Sequence, residues 1–341
     1  MQNPKLGVLT GEFKVQGNGY DPQTANANFK GNIAEITLNN YNYHNLNAEG
    51  NIANKNYKIK LTLQDPNLDA TVAANGIFSG NLPTLHLKAT IDSIKTMPLH
   101  FTSTPVFYHG DIMGDFQNIN PDSLNGNLVV SNSILVNNGK RITLDSVKII
   151  AEDTVDNQSL LYKTDFLSAS INGKYKLTQL ASVFQKAMDP YFSTTSGKDS
   201  VKTEPYNFTI NAHIINNPTL NTLMPELTQL KPISFSGRFV SDSGWNVYLK
   251  SPHIVYGTSV IDSLNLNAET KNGSLAFNTS LRRFKSGSSL NVYATTLYGK
   301  IKNNNIDFTV NIKDQNSKNK YTVNGQLDKS NLNKYIFSLS P

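Results

Sequence analysis

Cysteine is absent from the 341 residues of this chain. Its absence excludes disulfides, cysteine-ligated zinc sites and a cysteine nucleophile together. Charge is also scarce, since only 16% of the residues are charged, and the net charge of +6 is spread thinly along the chain. The blocks of roughly five or six basic residues that mark nucleic-acid tails are missing, so we expect no nucleic-acid partner.

Long apolar runs are missing as well. No stretch approaches the roughly 18 apolar residues that a membrane-spanning helix needs. The opening sequence MQNPKLGVLTGEF has neither the basic nor the apolar region of a signal peptide. We therefore expect any export signal or membrane anchor to lie outside this sequence, so that an exported chain would be a fragment of a longer protein.

What the sequence has in abundance is alternation of apolar and polar residues. In 306–312 the even-numbered positions are apolar and the odd-numbered positions are polar. This period of two is typical of a strand with one apolar face. The same alternation occurs in four further segments, 57–63, 85–91, 208–214 and 264–268. The chain is therefore predicted to be mainly β, because β-branched and aromatic residues fill these positions.

Turn-forming pairs separate the alternating segments. Because Asn and Gly tolerate positive φ, each Asn-Gly pair is interpreted as the tight turn of a hairpin between antiparallel strands. The pairs so interpreted are Asn125-Gly126, Asn138-Gly139, Asn172-Gly173, Asn272-Gly273 and Asn324-Gly325.

An internal repeat follows the same rhythm. Residues 43–63 and 261–281 align as strand, turn and strand around a shared Leu-Asn-Ala-Glu sequence, and 142–164 is a weaker copy. A unit of roughly 20 to 30 residues is too small to form its own core, so we expect the hairpins to stack edge to edge into one elongated sheet with open edges.

Two segments break the strand pattern and suggest modules. Residues 177–192 have apolar residues at helical spacing and are predicted to form an amphipathic helix, and a second short helix is predicted at 218–230, where Pro225 would kink or end it. The polar stretch 193–205 is interpreted as a flexible connection. We expect one β-repeat module at 1–192 and a second at 206–341. The first helix could cover an apolar face or simply end the first module, and we expect the second.

No motif for catalysis or metal binding is found. The six histidines lack metal-binding spacing, and no Gly-x-Ser-x-Gly sequence is present. Asn118, Asn120 and Asp122 alternate as in a calcium loop, but Ser123 stands where an EF-hand needs glycine. Arg282-Arg283 is a local basic pair without a convergent set of carboxylates. We expect no catalytic residue, no metal and no cofactor.

The apolar strand faces need a cover, because each large side chain left in water forgoes about 1.5–3 kcal/mol. A second sheet, curling of the same sheet or bound acyl chains would each provide one, and the alternation alone does not choose among them.

Three long stretches carry a resemblance to a known family. They are YNYHNLNAEGNIANKNYKIKLTLQDPNLDATVAANGIFSG at 41–80, GDFQNINPDSLNGNLVVSNSILVNNGKRITLDSVKI at 114–149 and TDFLSASINGKYKLTQLASVFQKAMDPYF at 164–192. These three segments resemble in sequence the repeat region of TamB-type translocation and assembly proteins. TamB-type proteins are members of the AsmA-like superfamily of bridge-like envelope proteins. The second half, at 216–239 and 251–281, continues in the same style.

The resemblance implies a β-taco, which is a sheet folded into a trough with an apolar interior. It implies a place in the periplasm between inner and outer membranes, transfer of phospholipid towards the outer membrane, and support of outer-membrane protein assembly with a BamA-like barrel partner. The expected partners are phospholipid acyl chains, that barrel and the rest of a longer chain. The family's membrane anchor and carboxy-terminal domain are not recognisable in this sequence.

Ten in-facing apolar residues are the candidates for the groove lining, with an ordinary sandwich core as the alternative. They are Ile59, Leu61, Leu63, Leu264, Leu266, Phe277, Ile306, Phe308, Val310 and Ile312. A different function also fits the composition, namely an extracellular β-rich adhesion or glycan-binding protein that uses exposed Tyr, Asn and Thr.

Overall fold

The computed structural model describes residues 6–19, 21, 24–78, 82–193, 203–329 and 334–340. Strands account for 70% of the structure and helices for 7%. The prediction of a mainly β, antiparallel fold with short helices is therefore confirmed. Most of the expected flexible connection at 193–205 lies outside the described residues.

The backbone forms two compact units. The first comprises Met1–Asp153 with Leu161–Asp165, and the second comprises Thr154–Leu160 with Phe166–Pro341. A short strand, Gln158–Lys163, falls in the segment that is divided between them. The expected module boundary at 193–205 stays a prediction.

The first unit is an antiparallel meander in which each strand pairs with its neighbours in sequence. Its strands are β1 Leu6–Asn18, β2 Asn26–Leu38, β3 Tyr41–Ala53, β4 Asn56–Asp65, β5 Leu68–Ile77, β6 Leu85–Lys95, β7 Val106–Asn118, β8 Asn125–Asn137 and β9 Lys140–Asp153. The strand Gln158–Lys163 follows as β10, and a 3₁₀ turn at Pro121–Ser123 precedes β8.

The second unit continues the antiparallel pattern with one insertion, because β12 pairs with β14 while β13 lies beside the far end of β15. Its strands are β11 Leu167–Lys174, β12 Asn207–Ile214, β13 Leu227–Leu230, β14 Ile233–Val240, β15 Gly244–Tyr256, β16 Ser259–Lys271, β17 Ser274–Ser286, β18 Leu290–Lys302, β19 Asn305–Lys313, β20 Asn319–Lys329 and β21 Tyr335–Ser340. Its helices are α1 Leu180–Met188, after a 3₁₀ turn at Leu177–Gln179, and α2 Pro218–Leu223.

The helix predictions hold in kind and differ in length. The segment predicted at 177–192 contains the 3₁₀ turn and α1, and α1 ends before Asp189-Pro190. The second predicted helix ends at Leu223, before Pro225, because residues 227–230 pair with β15 as strand β13. Prediction of helix over that last part was wrong, since a backbone partner distant in sequence outweighed local helical spacing.

Two of the five Asn-Gly turns are confirmed. Asn138-Gly139 and Asn272-Gly273 connect adjacent strands with positive φ at both residues, as a type I′ turn requires. The other three interpretations were wrong, because Asn125-Gly126, Asn172-Gly173 and Asn324-Gly325 lie within strands β8, β11 and β20.

Turns without glycine take the same conformation. Asn39-Asn40, Asn54-Lys55 and Asn303-Asn304 all have positive φ at both residues. Asparagine tolerates this region through local hydrogen bonds of its short side chain. Asp65-Pro66-Asn67 forms the turn between β4 and β5, where the Asn67 N–H donates to Asp65 Oδ1.

The internal repeat is a pair of real hairpins, β3 with β4 and β16 with β17. The alanine of the shared Leu-Asn-Ala-Glu sequence is buried in each, as Ala48 and Ala268. Ala48 lies across from Leu61, and Ala268 lies across from Phe277. The repeat therefore places a small buried residue beside a large candidate lining residue in both units.

Candidate apolar binding face

The first three candidate residues share one face of β4. In the register of the sheet, Ile59 lies between Gly50 and Ala74, Leu61 between Ala48 and Val72, and Leu63 between Leu46 and Ala70. All three side chains are half-buried, whereas Lys58 and Lys60 on the opposite face are exposed. We call the face that carries Ile59, Leu61 and Leu63 the first apolar face.

Little of the chain covers the first apolar face within the described residues. The first unit has no described α-helix there, only the 3₁₀ turn at Pro121–Ser123. Leu99, in the connection between β6 and β7, is fully buried, and His100 Nδ1 of the same connection lies 3.4 Å from the Asn39 carbonyl oxygen. This connection reaches the turn between β2 and β3 and so lies at the strand ends.

The other seven candidates share one face of the second unit. Phe277 and Phe308 both lie across from Gly299, and Leu266 pairs with Leu249. All seven side chains are half-buried. They are Leu264, Leu266, Phe277, Ile306, Phe308, Val310 and Ile312. The neighbouring positions, such as Asn278 and Thr309, point to the opposite, polar face. We call the face of the seven the second apolar face.

Helix α1 covers part of the second apolar face. Val183 is 2% exposed and packs in a cluster with Phe208 and Phe239, which are also buried. The Trp245 indole N–H donates a 2.9 Å hydrogen bond to the Ala187 carbonyl oxygen, which ties β15 to the helix. The helix thus covers the sheet, which is the alternative that we had not expected, and it packs within the second unit.

The segment after α1 continues this cover along the same strand ends. Tyr191 is buried with Ala268 and Leu275, and its hydroxyl lies 2.8 Å from Thr270 Oγ1. The Asn304 N–H donates to the Tyr191 carbonyl oxygen at 2.8 Å. The cover therefore reaches the turn between β18 and β19.

Helix α2 packs at the opposite strand ends. Leu220 of α2 is buried with Leu227 and Leu230, and Ile214 and Ile254 pack against this cluster. Asn217 caps the helix, because its side chain accepts a hydrogen bond from the Thr219 N–H at 2.7 Å. The second apolar face is thus bordered at both strand ends by helical segments, with half-buried residues between them.

Glycines lie opposite aromatic rings across the apolar faces. A Cβ atom at each of six such glycines would come within 3.0 Å of the ring or hydroxyl of the aromatic residue on the preceding strand. The pairs are Phe13 with Gly31, Phe29 with Gly50, Tyr57 with Gly76, Phe116 with Gly126, Phe277 with Gly299 and Phe308 with Gly325. In a seventh pair, Phe208 with Gly173, the aromatic residue follows the glycine in sequence.

Sequence reasoning missed these pairs, although a signal was present. The triplet of glycine, any residue and an apolar residue recurs in the strands, as in Gly31-Asn32-Ile33, Gly114-Asp115-Phe116 and Gly299-Lys300-Ile301. Aromatic side chains packed over cross-strand glycines are a known way to fix strand register. The pairs therefore add Phe13, Phe29 and their glycines to the candidate faces.

Asp65 is the centre of a buried polar network at one end of the first unit. Asp65 is 5% exposed as a whole residue, and its carboxylate accepts hydrogen bonds from Tyr41 Oη at 2.6 Å and from the backbone N–H groups of His44 and Asn67. Burial acts to raise the pKa of the carboxyl, but the hydrogen bonds from Tyr41, Asn67 and His44 hold the pKa below its ordinary value of 3.8. This network joins β3 to the turn between β4 and β5.

Asp262 is a buried carboxylate of the second unit, as Asp65 is of the first. His253 Nδ1 lies 2.6 Å from Asp262 Oδ1, and Arg282 Nη2 lies 3.9 Å from the same oxygen. The other member of the basic pair, Arg283, lies over the Tyr293 ring at 5.8 Å. Both arginines therefore have structural partners between neighbouring strands.

The alternating Asn118, Asn120 and Asp122 make a turn of their own. Asn118 Oδ1 accepts from the Asn120 N–H, and Asn120 Oδ1 accepts from the Asp122 N–H, both at 3.0 Å. Across the described residues, no group of three or more His, Cys, Asp or Glu side chains is arranged to hold a metal ion.

The described residues form cavities of appreciable size. One of about 470 Å³ is lined by Tyr298, Lys300 and Asp307 and also by Phe277 and Phe308 of the second apolar face. Another, of about 360 Å³, is lined by Lys30, Glu49 and other residues of the first unit.

None of the described helices is long and apolar enough to cross a bilayer. A comparison with protein-family models found no match, and comparisons with curated proteins and with solved structures found none either.

Proposed function

We propose that the two apolar faces bind the acyl chains of phospholipids and that this chain is a structural segment of a lipid-transfer protein without a catalytic site. The observation that supports the proposal most is the row of half-buried residues Ile59, Leu61 and Leu63, on a sheet that has no described second layer over it. A protein with a closed sandwich core would bury such residues nearly completely.

Acyl chains have the right chemistry for these faces. Burial of apolar surface contributes about 0.8 kcal/mol per CH2 group, so an acyl chain of roughly 16 carbons gains on the order of 10 kcal/mol when fully covered. A face built from aliphatic and aromatic side chains offers no hydrogen bonds and therefore suits a ligand without polar groups along its length. The polar headgroup would stay outside.

The family resemblance extends this proposal to a cellular role. By its resemblance to TamB-type proteins, the chain is proposed to lie in the periplasm as part of a longer protein. There it would form a trough and pass phospholipid towards the outer membrane. A BamA-like barrel would be its outer-membrane partner. The lining residues act through their apolar surface alone, so transfer needs no cofactor.

Native mass spectrometry with lipid extraction, on the chain expressed in a host with two membranes, tests the binding step. We expect phospholipid to copurify in stoichiometric amount and to be lost in the Leu61→Asp and Phe308→Asp variants. Matched controls on the polar face of the same strands are Thr62→Asp and Thr309→Asp, which should retain the lipid.

Circular dichroism of each variant separates loss of binding from loss of folding. A wild-type chain that is folded and lipid-free would overturn the proposal, and so would equal lipid loss in the polar-face controls. Either result would favour faces that close on one another.

One observation favours the second candidate function, an extracellular adhesion or glycan-binding protein. Tyr248 and Tyr298 are 43% and 46% exposed on the polar face of the second unit, and Tyr298 lines the 470 Å³ cavity with Lys300 and Asp307. Exposed aromatic rings beside polar groups can stack on sugars. Glycan-array binding that is lost in Tyr298→Ala but kept in Leu61→Asp would support this candidate over lipid transfer.

A further inference from the structure

Basic residues are grouped at one end of the second unit. Strands β15, β17 and β19 end there and β16, β18 and β20 begin there, because neighbouring strands of this sheet run antiparallel. Six cations lie near these strand ends or in the turns that join them. They are Arg282, Arg283, Lys285, Lys313, Lys318 and Lys320. We call these residues the basic group.

Tyr293 lies between two members of the basic group. It pairs with Arg283 of β17 on one side and with Lys313 of β19 on the other. The Arg283 guanidinium lies over the Tyr293 ring at 5.8 Å, and Arg283 Nε donates to Asn291 Oδ1 at 3.2 Å. Lys285 is the cross-strand partner of Asn291. These contacts position the cations beside neutral groups, so their charge is not cancelled locally.

Carboxylates are fewer at this end of the unit. Asp262 faces His253, and Asp314 Oδ1 accepts hydrogen bonds from the backbone N–H groups of Asn316 and Lys318. Glu226 lies beside the turn between β15 and β16, where its carbonyl oxygen accepts from the Gly257 N–H. Within the described residues, the one member of the basic group that forms an ion pair is Arg282, with Asp262 at 3.9 Å. Six cations thus outnumber three carboxylates.

Exposed apolar side chains border the basic group. Tyr256, Leu290 and Tyr321 are 44%, 45% and 57% exposed. Tyr256 and Leu290 belong to one row of the sheet, next to the turns. Because side chains alternate along a strand, this row points to the face opposite to Arg283 and Lys285. The end of the unit is therefore amphipathic, with cations on one face and apolar side chains on the other.

We propose that this end of the second unit docks onto the surface of a bilayer that contains anionic phospholipid. The basic group would contact the headgroup phosphates, and Tyr256, Leu290 and Tyr321 would lie at the boundary between headgroups and acyl chains. Tyrosine suits this boundary, because its ring is apolar and its hydroxyl is polar. Lysine and arginine near an anionic membrane surface add electrostatic attraction.

The two faces together favour a bilayer over a soluble anion. A soluble polyanion would pair with the cations and leave Tyr256 and Leu290 in water. A bilayer offers an anionic plane with an apolar layer directly beneath it, so both faces of this end gain a partner. This inference goes beyond acyl-chain binding, because it rests on the strand ends and not on the lining of the apolar faces.

Flotation of the purified chain with phospholipid vesicles tests the docking. We expect binding to vesicles of phosphatidylcholine and phosphatidylglycerol in equal amounts to be roughly tenfold or more stronger than binding to phosphatidylcholine alone. This binding should weaken as salt is added, because salt screens charges at an exposed surface. Inorganic polyphosphate, a soluble polyanion without an apolar layer, should compete weakly.

Charge-neutralising variants test the basic group. The double variant Lys285→Gln/Lys318→Gln should bind the mixed vesicles about thirtyfold more weakly than the wild type at low salt. The matched control is Lys250→Gln/Lys271→Gln, which removes two exposed cations of β15 and β16 away from this end and should bind like the wild type. Circular dichroism checks that both double variants are folded.

An apolar variant tests the opposite face. Leu290→Ser should weaken vesicle binding several-fold, whereas Val155→Ser, at a fully exposed apolar position far along the chain, should leave it unchanged. Phe308→Asp separates docking from acyl-chain binding, since this variant should lose copurifying phospholipid and still float with the vesicles.

Three results would overturn the docking. They are a folded wild type that does not float with the mixed vesicles, equal loss of binding in the Lys250→Gln/Lys271→Gln control, and full binding by Leu290→Ser with strong competition by polyphosphate. The last result would assign the basic group to soluble polyanions. Phospholipid that copurifies with a chain unable to dock would leave acyl-chain binding intact and reject this inference alone.

Discussion

Phe308 lies directly across from Gly325 in the β19–β20 pair, and a Cβ atom at Gly325 would come within 2.3 Å of Phe308 Cζ. Gly325 does not have positive φ, so its lack of a side chain serves the ring and not the backbone conformation. In this pair the Phe308 ring occupies the space that a side chain at position 325 would fill.

Substitution of this glycine tests the pairing. Gly325→Ala should lower the free energy of unfolding by about 1–3 kcal/mol, because the added methyl group displaces the Phe308 ring. Phe308→Leu shortens the side chain and should remove most of the clash. Urea unfolding of both single variants and the double variant gives the coupling energy, and additive losses would contradict the pairing.

Replacement of Asp65 by Asn should weaken the first unit near neutral pH. Hydrogen bonds to charged groups contribute about 1.5–3 kcal/mol, so a loss within that range is expected at pH 7. Urea denaturation followed by circular dichroism measures it. The exposed Asp156→Asn variant is the control and should unfold like the wild type.

The same carboxylate should give the wild type a defined acid sensitivity. The pKa of Asp65 in the folded protein is below its ordinary value of 3.8, so the folded state binds fewer protons than the unfolded state in that range. Its contribution is fully present above about pH 5 and is lost as the pH falls through the folded pKa. The difference in stability between wild type and Asp65→Asn should therefore shrink below pH 3.8, and a constant difference would contradict this account.

Release of helix α1 should expose the second apolar face. Val183→Asp places a carboxylate among Phe208 and Phe239, where an unpaired charge costs several kcal/mol, so the helix should leave the sheet. Binding of an environment-sensitive apolar dye should then increase. Ala181→Asp, at an exposed position of the same helix, should leave dye binding unchanged.

A turn substitution should stabilise the first unit. Lys55 has φ of 68° in the turn between β3 and β4, a region that costs a residue with a side chain about 1 kcal/mol. Lys55→Gly should raise the free energy of unfolding by about that amount, as measured by urea denaturation. Lys60→Gly, within β4, should lower it by about 0.5–1 kcal/mol.

The strands were predictable because their signal is local. Alternation at 57–63, 264–268 and 306–312 marked β4, β16 and β19 and contained nine of the ten lining candidates, all except Phe277. Whether acyl chains occupy those faces stays a prediction. Alternation indicates which side chains share the apolar face of a strand, but it does not indicate what covers that face.

The errors in the turns have a physical cause that the local sequence does not contain. Asn138-Gly139 and Asn125-Gly126 have the same composition, but Gly126 is held within a strand by Phe116 on the neighbouring strand. Asn54 and Lys55 form a turn without glycine, because the residues on either side of them, Ala53 and Asn56, pair between β3 and β4. The helix itself was predicted, but its packing against the sheet was not, because Val183 packs in a cluster with Phe239, which is distant in sequence.

The neighbour-to-neighbour pairing of β1–β9 bears on how the first unit is made in the cell. Each strand hydrogen-bonds to the strand synthesised just before it, so little chain entropy is lost when a new strand adds. Folding can therefore proceed in chain order, one hairpin at a time, as successive strands become available. The growing sheet presents a single fresh edge at every stage, and the next strand to emerge covers it.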